Sequence, residues 1–518
     1  MGPFQVGNQT ERGIRDHTLI VHAVILDAKN RNIEIDIQFT DIKQCFDSVW
    51  LQDAINDLYH SGVKSRNLNI IFEGNRSTQM CVENKLGSSD RARLQNIVMQ
   101  GSVSGGTLCS NQLSKLCNQT YTEGIVYMYG NRIPIPTLAM VDDLVSICIC
   151  CATQSVEKNV KTDEFVKSKK LESQVGDGKC QWMHVGKEEC PNSYTANKKE
   201  LSQCYIYKYL GDHVSDGWEP LYNKRVEKCK GYAATCLAMC TEMSLGFQMF
   251  TIIKMLHQAI FLNGTLTNME TWPMCNDNRI TQFERVEQGM FRSILSAHSK
   301  TPIESLYFEL GVIPFRFKLM ARRILYYRTI LNRKDDELTK MVISVQEDIG
   351  TQGDFFHQVQ NDMEALDITK QQLITKSKLC LEDLVNKKVK EAAYAYLQNI
   401  ARKHSKERHD IYKDLQGCGY FGDVRFSSED TKLLFKFRTR MFAVRNNFRN
   451  KYACVLCPLC ATTEDSQQHL FECEVMRIYH ETQIKYDGIF CDDNNTLLKA
   501  ARELKKLVQI RSELVPDE

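Results

Sequence analysis

The sequence predicts an α+β protein in which a β-rich first part gives way to a mainly helical second part. Three patterns carry this. Asn32 to Thr40 alternates through Ile33, Ile35, Ile37 and Phe39, the two-residue period of a half-buried strand. Ile133 to Leu138 leads, past two acids, into a second apolar run from Val145 through Cys151. From Leu221 the period lengthens: Val226, Cys229, Ala233, Leu237 and Cys240 recur at three- and four-residue steps. Leu381, Leu384, Val385, Val389, Ala392, Tyr396 and Ile400 form a second such helical stripe. Breaks between helical blocks are expected at Gly350 to Asp354 and at Gly417 to Gly422.

Length and composition bound the reading. At ~150 residues per domain, 518 residues suggest about three domains and ample length for large cores. With 43% hydrophobic and 25% charged residues, 10 prolines and 27 glycines, the chain is neither disordered nor collagen-like. Sixty-six basic residues against 64 acidic ones leave a net charge of +2, so a nucleic-acid partner has to be held by local basic patches. Met1 to Asp16 is charged and lacks an apolar core, and the 21 cysteines are an odd, scattered set. An intracellular protein with reduced thiols is therefore expected, in the nucleus or cytoplasm and not secreted. No membrane anchor is expected, since Phe247 to Leu262 is interrupted by Lys254 and His257.

Two acid clusters stand out. Asp41 closes the alternating run, with Phe46 five residues on and Asp47 after it. Leu138-Ala-Met-Val-Asp-Asp-Leu-Val145 sets Asp142 and Asp143 between apolar flanks, as at the tip of a β-hairpin. Adjacent carboxylates with little water repel each other, and magnesium, which prefers oxygen ligands, is a natural compensator. Alone, such a pair also fits a solvated turn. Between the clusters lies Gln100-Gly-Ser-Val-Ser-Gly-Gly-Thr107, a glycine-rich loop whose backbone can approach a sugar or base.

In this order the segments resemble the palm of a reverse transcriptase of the non-LTR (LINE-type) retrotransposons. Asp41 to Asp47 is similar to the first catalytic motif, Gln100 to Leu108 to the template and nucleotide loop, and Met140-Val-Asp-Asp143 to the aromatic-Ala-Asp-Asp box, departing at its first two positions. Gly176-Asp-Gly-Lys-Cys180 with Trp182 to Gly186 resembles the motif with a phosphate-side lysine, and Tyr207-Lys-Tyr-Leu-Gly211 the primer-grip hairpin. Arg285 to Leu295 and Thr301 to Pro314 are similar to the helical region after the polymerase.

The resemblance implies an RNA-directed DNA polymerase, a nucleotidyltransferase that copies an RNA template from a DNA primer with deoxynucleoside triphosphates. It implies a right-hand palm, a βαββ-type sheet with helices, then a mainly helical thumb and connector and a small zinc knuckle. Expected segments are 1–190 for partial fingers and palm, 191–334 for primer grip and thumb, 335–430 for a connector, 431–485 for a basic segment and knuckle, and 486–518 for a tail. Asp41, Asp142 and Asp143 would be catalytic and hold Mg²⁺; Phe46, Gln100, Gly101 and Lys179 would contact the nucleotide. Phe46 is either a steric gate against the 2′-hydroxyl or a buried palm residue. Gly7 to His17 resembles a segment within the fingers, so earlier finger strands are expected to lie before Met1.

Near the C-terminus, Cys457 and Cys460, then His469 and Cys473, have the spacing of one tetrahedral Zn²⁺ site, with Cys454 a possible substitute. The resemblance places a cysteine-histidine knuckle there too. Just before it, Lys432, Lys436, Arg438, Arg440, Arg445, Arg449 and Lys451 occur without an acid among Phe435, Phe437, Phe442 and Phe448. The cations suit nucleic-acid phosphates, while the aromatics fit either base stacking or a core. Two further readings stay open: a catalytically decayed retroelement product that only binds nucleic acid, and a helical interaction protein.

Overall fold

The computed structural model describes residues 4–7, 9, 12–76, 78–93, 98, 102, 104–150, 153–176, 178–187, 190, 192–242, 249–404, 412–480 and 485–515. The chain forms two compact units, each discontinuous in sequence. Residues 1–223, 268–275 and 323–362 make the first; residues 224–267, 276–322 and 363–518 make the second.

The first unit is built on a four-stranded antiparallel sheet. Ile35–Asp41 is central, between Asp143–Ile149 and Gln181–Val185, with Leu138–Met140 outermost beside Asp143–Ile149. Its odd residues Ile35, Ile37 and Phe39 are buried, as the alternation predicts. The even residues correct the expectation of a half-buried strand, because Asp36 and Gln38 are buried as well. The helix Thr153–Ser168 covers their face: Gln38 donates to the Ser155 carbonyl (3.5 Å) and accepts from Asn159 (3.3 Å). A sheet with neighbours on both faces buries both sets of side chains, and polar ones persist there only when hydrogen-bonded.

The helices Ile14–Asn30 and Gly105–Thr122 are themselves buried over most of their surface, through Leu19, Val21, Val24 and Ile25 and through Leu108, Leu113 and Leu116. Asp16 in the first of these accepts from Arg333 (2.6 Å) and from the Tyr326 hydroxyl (2.7 Å), all three buried. The boundary expected at 334 thus falls inside a segment, 323–362, that packs with the sheet-bearing first unit. The hairpin Ile206–Tyr209 and Asp212–Ser215 turns through Leu210 and Gly211, both at positive φ, which is the type I′ geometry of a two-residue loop. The Tyr207 ring stacks on Phe39 at 4.0 Å and fixes the hairpin to the central strand.

Among the described residues the second unit is helical apart from the isolated bridge Leu456–Glu464. Its longest helix, Lys378–His404, buries Leu381, Val385, Val389, Ala393, Leu397 and Ala401, one four-residue stripe. The expected tail is instead a helix, Asn494–Leu514, capped by Asp493 and burying Leu497, Ala500, Ala501, Leu504 and Leu507. Among the described residues no helix is long and apolar enough to cross a membrane.

Candidate active site

Asp41 and Asp143 are direct partners across the two central strands, so their side chains leave the same face of the sheet. Met140 pairs with Asp143, leaving Val141 and Asp142 as the hairpin turn. Val141 has φ +60, a conformation that costs a β-branched residue of order 1–3 kcal/mol. Its amide is held by the Gln5 side chain at 3.0 Å. The three aspartates are all partly exposed.

Burial first, then the charges of Asp142 and Asp41, push the Asp143 carboxyl up to about 6, with Lys179 opposing. Asp142 is likewise raised, chiefly by burial and then by Asp41, against its own backbone hydrogen bond and Lys179. The Lys179 ammonium lies 3.1 Å from an Asp41 oxygen. The Asp41 backbone is clamped by Cys180 and Gln174: its N–H lies 3.3 Å from the Cys180 sulfur, and its carbonyl accepts from the Gln174 N–H at 2.9 Å. Nothing in the spacing of the sequence singles out Cys180 for this role, which depends on strand register. Three carboxylates gathered at one sheet end beside Lys179, with Asp142 and Asp143 raised by burial, form a donor set suited to a hard divalent cation.

Phe46 lies in the short helix Cys45–Ser48, partly buried against the core of this unit, and its carbonyl accepts from Val98 (3.2 Å). Gln100 and Gly101 lie outside the described residues. Beyond them, the helix Gly105–Thr122 begins with the Gly105 N–H donating to the Ser102 hydroxyl at 2.9 Å.

Residues 1–214 match the family model for reverse transcriptase (RNA-dependent DNA polymerase). The fold is reverse transcriptase-like. No curated protein matches the chain. Among solved structures the chain is similar to telomerase from Candida tropicalis in complex with a TWJ fragment of telomeric RNA (15% identity, TM-score 0.31, 74% of this chain and 53% of that one). It is similar also to the Candida albicans telomerase complex (9%, 0.28, 65% and 55%) and to apo telomerase from Candida tropicalis (13%, 0.30, 74% and 56%). The chain spans about half the length of each.

In the other unit, Cys457, Cys460, His469 and Cys473 converge, with every ligand atom within 4.8 Å of the others. The Cys457 and Cys473 sulfurs are 3.9 Å apart, and Cys460 Sγ is 3.3 Å from His469 Nε2. A turn supplies the first pair, with Ala461 N–H donating to the Cys457 carbonyl; one helical turn, His469–Glu472, supplies His469 and leads into Cys473. Hydrogen bonds from the Thr462 side chain and backbone lower the Cys460 thiol to about 5, whereas burial raises Cys457 to about 11. Cys454 is exposed and outside the cluster. The segment that carries these four residues is anchored by buried Asp465, which accepts from both terminal Arg511 nitrogens at 2.7 Å and from the Arg445 N–H at 2.7 Å.

The basic segment divides. Arg438 is buried and paired with buried Glu309 at 2.9 Å, which removes it from any phosphate-binding surface and corrects its assignment as a nucleic-acid contact. Arg449 is exposed but bonded to Glu464 (2.8 Å), and Arg445 donates to the Leu456 carbonyl (3.1 Å). Lys451 is exposed and lies over the Phe448 ring; Lys432, Lys436 and Arg440 are partly exposed. Phe435, Phe437 and Phe442 are buried core residues and so are unavailable to stack on bases.

Proposed function

We propose that the chain is an RNA-directed DNA polymerase of the non-LTR retrotransposon type, adding deoxynucleotides to a DNA primer on an RNA template. The observation that carries this reading is the pairing of Asp41 with Asp143 beside the Asp142 turn, within the region matched by the reverse transcriptase family. Asp41, Asp142 and Asp143 would hold magnesium. Two such ions, when bound, supply positive charge for the primer hydroxyl and the departing pyrophosphate. Lys179, beside Asp41, is the cation available to the triphosphate, and Phe46 is the aromatic group available to the sugar. The hairpin Ile206–Tyr209 and Asp212–Ser215, held by the Phe39–Tyr207 stack, is suited to steady the primer end. In the helical unit Cys457, Cys460, His469 and Cys473 would hold a structural zinc, and Lys432, Lys436, Arg440 and Lys451 would meet phosphates.

The test is incorporation of deoxythymidine triphosphate on a poly(rA) template primed with oligo(dT), with and without magnesium. Magnesium-dependent extension of the RNA-templated primer is expected. RNA binding without any extension would overturn this reading in favour of a nucleic-acid-binding product that no longer polymerises.

A further inference from the structure

On the opposite face of the same sheet, five residues before Asp41, Asp36 is buried at 1% exposure. Strand parity separates the two acids: odd positions of Ile35–Asp41 face the Asp143 side, even ones the other. Asp36 is in register with His184, and the His184 Nδ1 lies 2.8 Å from Asp36 Oδ1. Cys150, just past Asp143–Ile149, brings its sulfur to 3.2 Å from that of Cys190, which follows Gln181–Val185. The Cys190 sulfur is in turn 3.3 Å from Asp36 Oδ2. One ligand atom from each of Asp36, Cys150, His184 and Cys190 lies within 4.8 Å of all the others, the same closeness as in the Cys457 cluster.

We propose that Asp36, Cys150, His184 and Cys190 bind a second zinc ion, a structural one that ties three segments together behind the catalytic face. Two thiolates, one imidazole nitrogen and one carboxylate oxygen are a tetrahedral zinc donor set. A disulfide between Cys150 and Cys190 would use neither Asp36 nor His184, whereas a cation uses all four and compensates a carboxylate buried in mid-sheet. The surroundings are those of a supported site. Asn192 donates to Asp36 Oδ2 at 3.0 Å and the Tyr194 hydroxyl donates to the same oxygen, orienting the carboxylate. The outer ring nitrogen of His184, Nε2, faces the Glu34 carboxylate at 3.9 Å, the place of the acid that commonly backs a metal-bound histidine.

The experiment is zinc content of the whole chain, purified anaerobically from zinc-supplemented cells. Cys190→Ser should lower it by one zinc per chain, and Cys190→Asp, which retains a ligand, should restore it. Cys460→Ser should remove a different zinc, so that the double variant loses both; loss with Cys190→Ser but not with Cys460→Ser would keep this site and sink the knuckle. Unchanged zinc in a folded Cys190→Ser chain, or recovery of a Cys150–Cys190 disulfide from the anaerobic protein, would overturn the proposal. Should the variant fail to fold, cobalt titration of the unaltered chain decides. Thiolate-to-cobalt absorption matching five cysteines supports the site, and absorption matching only the three of the knuckle refutes it.

Discussion

Replacing Arg438 with methionine separates a structural from a nucleic-acid role for the basic segment. Glu309 is fully buried and accepts from Arg438 Nε (2.9 and 3.2 Å), from the Tyr412 hydroxyl (2.8 Å) and from the Tyr420 hydroxyl (2.8 Å). The guanidinium also donates to the carbonyls of Ile489 (2.8 Å) and Cys491 (3.1 Å). Arg438→Met leaves a buried carboxylate facing two hydroxyls and strands both carbonyls, a loss of ~3–5 kcal/mol for a broken buried pair. At a urea slope of ~2–3 kcal/mol/M, the unfolding midpoint of the helical unit should fall by ~1–2 M. All four tryptophans, Trp50, Trp182, Trp218 and Trp272, belong to the other unit, so their fluorescence follows that unit while far-UV circular dichroism follows both. The circular dichroism transition should move and the fluorescence transition should stay. The double change to Arg438→Met with Glu309→Met should recover much of the loss, because an apolar pair leaves no charge unpaired. The reasoning fails if Arg438→Met unfolds like the parent chain yet loses RNA affinity with a salt dependence shallower by ~0.9, the signature of a lost phosphate contact.

Three other outcomes are expected. Phe46→Val should raise ribonucleotide incorporation relative to deoxynucleotide in single-nucleotide extension assays; equal loss of both with a lower melting temperature marks Phe46 as a core residue alone. Cys460→Ser should release zinc and expose its segment to protease while tryptophan fluorescence of the sheet-bearing unit keeps its midpoint. Asp354, buried in that unit, has its carboxyl raised by burial from 3.8 to about 7. Its folded form resists ionisation, so stability should rise as pH falls through 7 toward 4. Asp354→Asn should stabilise the unit by up to ~4 kcal/mol at pH 8 and by progressively less below pH 7, as thermal melts across that range will show; a pH-independent effect contradicts this.

What the sequence made legible was local. The pairing of Asp41 with Asp143 could be expected once the resemblance joined the two acid segments, and the convergence of Cys457, Cys460, His469 and Cys473 from ligand steps within one short segment. The helical stripe of Lys378–His404 was equally plain, since its period lies within one element. What escaped reading depends on distant partners. Asp36 and Gln38 look like the wet side of a strand until the helix Thr153–Ser168 lies over them. Arg438 looks like one more surface cation in an acid-free run, because Glu309 is 129 residues away. The Asp36, Cys150, His184 and Cys190 cluster has no sequence spacing to recognise, as register alone assembles it. The last helix passed for a tail because Leu497, Leu504 and Leu507 lie among many charges.

The central claim is that Asp41, Asp142 and Asp143 act as one metal-dependent catalytic set. Its most direct test is single-turnover primer extension on an RNA template by Asp41→Asn, Asp142→Asn and Asp143→Asn, alone and together, with primer-template affinity measured alongside. Each single change should abolish magnesium-dependent extension about as fully as the triple change, with affinity for primer-template nearly unaltered. Extension that survives Asp142→Asn at the parent rate, or that disappears only in step with lost primer-template binding, would contradict the account.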